Sequence, residues 1–137
     1  MTPQPISSIL ENRFTFLIAR VLLTLPFWAS GLSKLIMFDQ GVAEMEHFGF
    51  TPGVVFNVAV IVTQLGGSLL VILNRATWLG AGALAVFTAL TILLVHTFWN
   101  EEGEAAMISM FFALEHISVI GGLILVSILA QRDSLTS

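Results

Sequence analysis

The sequence predicts an all-α polytopic membrane protein, an up-down-up-down bundle of four transmembrane helices, from three observations. It has four long apolar runs, few charges inside them, and polar connections between them. The runs cover residues 14–35, 54–73, 78–99 and 105–130, each close to the ~20 residues that cross a ~30 Å hydrocarbon core as helix. Of 137 residues, 56% are hydrophobic and only 10% charged, with a mean hydropathy of +0.94. That balance lies outside the range of soluble domains.

The first run follows a polar segment, residues 1–13. It is longer than a secretory h-region, is interrupted by Arg20 and is preceded by Glu11 and Arg13, so it reads as a retained helix. Arg20, Thr24, Phe27, Gly31 and Lys34 recur along it at helical intervals and form one inward stripe. In residues 36–53, Phe38, Val42, Met45 and Phe48 alternate with Asp39, Glu44, Glu46 and His47. This pattern predicts a short amphipathic piece on the membrane surface, closed by Gly49 and Pro52 and capping one end of the bundle.

The second run places Asn57, Gln64, Gly67 and Ser68 on one stripe, and Asn74-Arg75-Ala76 forms a tight turn before the third. The third carries Thr77, Ala81, Thr88 and Thr91 among small residues that let helices approach closely. After a short acidic connection, the fourth presents Ser109, Phe112, Glu115, His116, Val119 and Gly122. The membrane domain therefore spans residues 14–130, with a tail at 131–137.

Arg13, Arg75 and Arg132 fall in segments on one side, while Lys34 lies among Asp39, Glu44, Glu46, Glu101, Glu102 and Glu104 on the other. The bias toward positive charge on the inner face predicts cytoplasmic N-terminal and C-terminal segments. Reporter fusions at Arg75 and Glu102 should land on opposite faces, with Arg75 inside; the reverse placement would overturn this orientation.

Composition also restricts function. A net charge of −4 with only five Lys and Arg argues against nucleic-acid binding. Without cysteine the chain forms no disulfide and offers no thiolate to a metal, so any redox chemistry belongs to a bound cofactor or a partner.

The residues most costly to place in lipid are Arg20, Gln64, Glu115 and His116. By helical rise, Arg20 lies roughly 9 Å inside the cytoplasmic edge, Gln64 near the midplane and Glu115 about 15 Å below the outer edge. Arg20 reads either as a snorkelling or structural cation or as part of a site. Lys34 reads as a surface anchor. Glu115 is either the partner of Arg20 or Lys34 in a buried network, or a ligand or proton site.

His96 lies near the outer end of its helix and His116 around 15 Å down the next, which argues against a haem shared between them. His47 and His96 match no metal-ligand spacing, so no metal is expected. Trp28, Trp78, Phe98 and Trp99 suit an interfacial belt, with Trp28 alternatively lining a pocket.

Taken in order, Ala19-Arg20, Gly31-Leu32-Ser33-Lys34, then Phe38, Gly41, Met45, Gly49 and Pro52 resemble the opening half of the DoxX family of small membrane proteins. Gln64-Leu65-Gly66-Gly67, His96-Thr97-Phe98-Trp99 and Ile120-Gly121-Gly122 continue the resemblance, which covers roughly residues 14–130. It implies a four-helix bacterial inner-membrane protein, with some relatives linked to quinone-dependent oxidation of sulfur compounds or to membrane redox complexes. Gln64 stands where relatives commonly carry Glu, and Glu115 where they are often basic or polar. The acid has in effect moved from the second helix to the fourth.

The expected function is a redox-associated accessory subunit, a non-catalytic part of a quinone-linked oxidoreductase, with a polar pocket for a quinone-like ligand. Quinone carbonyls need donors in an apolar cleft. The candidate cofactor-binding residues are Arg20, Phe27, Trp28, Gln64, Glu115 and His116. The lipid bilayer, a soluble or membrane redox partner and a second copy of the chain are the expected partners. A small-solute or proton conduit and a scaffold for partner proteins are the alternatives.

Overall fold

A computed structural model describes residues 1–137. The chain forms six α-helices: α1 (Gln4–Leu10), α2 (Arg13–Ile36), α3 (Phe38–His47), α4 (Gly53–Ile72), α5 (Thr77–Leu94) and α6 (Gly103–Thr136), with a 3-10 turn at Phe98–Asn100. α2, α4, α6 and the segment containing α5 are long and apolar enough to cross a membrane. They are the four predicted spans, and many of their large apolar side chains face outward, as lipid-facing helices require.

Each start has a local cause. Asn12 caps α2, its Oδ1 accepting the Phe14 N–H at 2.8 Å, while Pro52 precedes the first turn of α4. The α4–α5 turn places Asn74 and Ala76 at positive φ and is tied by Thr77 Oγ1 donating to Asn74 Oδ1 at 3.0 Å.

Close approach of backbones sets the packing. A Cβ on Gly80 would meet the Gly67 carbonyl oxygen at 2.7 Å, so α4 and α5 cross in near backbone contact. One on Gly53 would meet the Val42 carbonyl at 2.6 Å, which seats α3 on the start of α4. Gly41 of α3 leaves room for the Asn57 side chain, which is buried and donates from Nδ2 to the Phe38 carbonyl at 3.4 Å. The amphipathic piece predicted between the first two spans is thus a helix docked across one end of the bundle, burying Gly41 and Met45.

The other half holds the apolar core, where Phe27, Val71, Ala81, Leu84, Leu123 and Val126 pack together. α2 rests on α4, α4 on α5 and α5 on α6, whereas α2 and α6 meet only over a short stretch.

Two boundaries differ from expectation. α5 stops at Leu94 rather than at residue 99, because the Thr91 carbonyl accepts from both Val95 and His96 and closes the helix. α6 begins at Gly103, at positive φ, and continues past residue 130 to Thr136. The connection after His96 lies along α6, with Glu101 Oε2 accepting from Ser109 Oγ at 2.7 Å. His96 is therefore brought level with His116 rather than with the start of α6.

Candidate functional site

Between α3 and the apolar core lies a cavity of about 480 Å³, a size suited to a small organic ligand. α2 contributes Pro26, Phe27, Ser30 and Lys34, α4 contributes Phe56, Val60 and Gln64, and α5 contributes Phe87, Thr88 and Thr91. Met45 and Glu44 of α3, followed by Phe48 and Phe50, form the cap, and His96 and His116 complete the wall. Phenylalanines from separate elements thus surround a few polar groups, a surface suited to a flat apolar ring.

Gln64 lies near the middle of α4 on this wall. It is 5% exposed, and its Oε1 is buried without a hydrogen-bond partner. Such an atom costs about 1–3 kcal/mol unless something donates to it. Thr88 and Thr91 turn their hydroxyl hydrogens back to the Leu84 and Phe87 carbonyls, at 2.7 and 2.9 Å. Their oxygens remain able to accept, so the wall is rich in acceptors.

Lys34 is paired with Glu44 of the capping helix and is mostly buried, whereas Glu44 is half-exposed. This ion pair ties α3 to the end of α2, and given its partly wet setting it contributes about 1 kcal/mol or less. His96 stacks on Phe112 with ring centroids 5.2 Å apart and meets His116 edge-on at 4.8 Å. The expectation that the two histidines lie at different levels is therefore corrected. The two imidazoles meet each other edge-on rather than facing a common centre.

The structure brings together three of the six expected site residues, Phe27, Gln64 and His116. Arg20 is 9% exposed but lies nearer the termini, with its guanidinium 4.5 Å from the centre of the Phe16 ring and its Nε unpartnered. The acid whose charge acts on it is Asp133 at the end of α6. Trp28 sits beside the lining but turns its indole N–H to the Val21 carbonyl at 3.1 Å. Glu115 is exposed on α6 and forms no ion pair with Arg20 or Lys34.

Residues that the sequence reading left out of the site include Ser30, Lys34, Glu44 and His96. Distance in sequence hides Glu44 and His96, whereas Lys34 shares the inward stripe of Phe27, and Ser30 lies about one helical turn from Phe27; the alternation across α3 likewise turns Met45 and Phe48 inward.

Among known proteins, the chain is similar to "Inner membrane protein YphA" of Escherichia coli (strain K12), with 26% identity over 112 residues, which covers 82% of this chain and 80% of that protein. No solved structure matches it significantly. The DoxX family model matches residues 15–97, a stretch that contains α3 to α5, all of α2 but its first two residues, and every cavity-lining residue except His116. A match over more than half of the chain, on the elements that build the cavity, places this four-span membrane protein in the DoxX family.

Proposed function

We propose that this protein is a redox-associated inner-membrane subunit whose cavity holds a quinone-like ligand. The observation that carries the reading is the Gln64 amide, buried on the wall of an aromatic cavity with an acceptor that nothing in the chain satisfies. A quinone is a planar ring with oxygens on opposite edges and carries two electrons and two protons when reduced. Gln64 Oε1 accepts from a quinol hydroxyl, and its Nε2 donates to a quinone carbonyl, so one side chain serves both forms. His116 and His96 add ring nitrogens to the lining, and Phe27 and Phe87, packed edge-on against each other with centroids 6.5 Å apart, offer one aromatic surface to the ring.

The inner-membrane assignment follows the name of the similar Escherichia coli protein. Lacking thiols, this chain holds the ligand while a redox partner supplies or removes electrons. Extraction of gently purified protein followed by mass spectrometry should yield a prenylated quinone in near-stoichiometric amount. Recovery of phospholipid alone would count against the reading.

A further inference from the structure

The cavity has walls on α2, α3, α4 and α5, but α6 gives it only His116. α2 and α6 meet where Gly122 faces Leu23, so closely that a Cβ on the glycine would lie 2.8 Å from Leu23 Cδ1. Seven residues make two helical turns, so Glu115 shares the face of Gly122 and Ser30 shares the face of Leu23. The two helices run antiparallel. Glu115 and Ser30 are thus level with each other, about 10 Å along the bundle from the Leu23–Gly122 contact. At that level the helices have parted, since Glu115 is exposed while Ser30 lines the cavity. Pro26 falls between the two levels, exposed and also on the cavity wall. Its ring and missing N–H bend a helix at this kind of position.

We infer that the cavity opens sideways into the bilayer between α2 and α6, with Glu115 on the rim. Its occupant is a tailed amphiphile whose head rests against Gln64 and whose tail leaves through this gap into lipid. The identity of the head rests on the quinone reading; the opening does not. A carboxylate at this depth is costly against hydrocarbon alone. A hydroxyl on the head, donating to Glu115 as it passes the rim, lowers that cost and speeds the passage of the reduced ligand.

Because the chain has no native cysteine, a nitroxide can be placed at Ser30→Cys without background and the protein returned to phospholipid vesicles. Collisions with dissolved oxygen, which partitions into lipid, should match those at the outward-facing control Leu32→Cys. They should exceed severalfold those at the fully buried control Val71→Cys, while a water-soluble nickel chelate reaches position 30 poorly. Nickel collisions above those of oxygen would show an opening to water beneath α3, and oxygen collisions as low as at position 71 would show a closed wall; either result overturns the inference.

Adding decylubiquinol should lower the oxygen collisions at position 30. If it leaves them unchanged while the lipid exposure persists, the quinone reading fails and the lateral opening stands. In the otherwise native chain, Glu115→Leu should slow association of the reduced analogue about tenfold and leave that of the oxidised form unchanged, with Glu115→Gln partly restoring it. Equal association rates of the reduced analogue in Glu115→Leu and the parent protein would remove Glu115 from the rim's chemistry.

Discussion

Replacing Gly80 with valine should cost about 3 kcal/mol or more of bundle stability, because the new side chain has nowhere to go. Its Cβ would stand 2.7 Å from both the Gly67 carbonyl oxygen and Leu70 Cβ. The first obstacle is backbone and cannot swing aside, so α4 and α5 must separate. Separation strips contacts from Val71, Ala81 and Leu84, three of the six side chains in the apolar core. Gly82, two residues on, is exposed, and a Cβ added there would meet no atom within 4 Å. Gly82→Val is therefore expected to change stability by about 0.5 kcal/mol or less. Reversible unfolding in mixed micelles, followed by circular dichroism, separates the two variants; equal losses would show that the crossing is not set by backbone contact.

The second large effect is expected at Gln64, and it has two opposite signs. Leucine removes the buried Oε1 that has no partner within the chain, so Gln64→Leu should raise stability by about 1 kcal/mol. The same change removes the amide proposed to meet the ligand and should weaken quinone binding by about ten- to a hundredfold, or roughly 1–3 kcal/mol. Gain of stability with loss of affinity is the mark of a polar group kept for a ligand rather than for the fold. Arg20→Leu provides the contrast. Arg20 lies off the cavity wall, with its guanidinium over Phe16, so its loss should leave affinity unchanged.

Spans and inward stripes were legible because hydrophobic length and helical period are properties of contiguous sequence. Thr24, Phe27 and Gly31 are buried on one stripe of α2, and Asn57, Gln64, Gly67 and Ser68 on one stripe of α4, as their spacing requires. The surface helix α3 was equally visible in its alternation of apolar and charged residues. What the period does not carry is where helices end and which levels meet. α5 closes at Thr91 through a shared carbonyl, and the chain then runs along α6, so two histidines twenty residues apart touch although their predicted depths differ.

The site was legible in part for the same reason. Gln64 and Phe27 announce themselves by position on a stripe, but the pairing of Lys34 with Glu44 depends on how α3 folds back over α2. Phe48, Phe50, Phe56 and Phe87 form one lining only after three elements converge. Glu115 stood out as a carboxylate at membrane depth. Its depth suggests Arg20 as a partner, yet Arg20 lies toward the α6 end that carries Asp133, and the face of Glu115 turns toward the gap beside Ser30.

Whether the cavity holds a quinone is decided by titrating the purified protein with a soluble quinone analogue. Trp28 adjoins Phe27 on the cavity wall and supplies an intrinsic fluorescence signal. Saturable one-to-one quenching is expected in the parent protein, unchanged in Arg132→Leu and weakened in Gln64→Leu. A linear, unsaturating response that is the same in all three proteins, at analogue concentrations that leave the helices folded, would contradict the quinone reading.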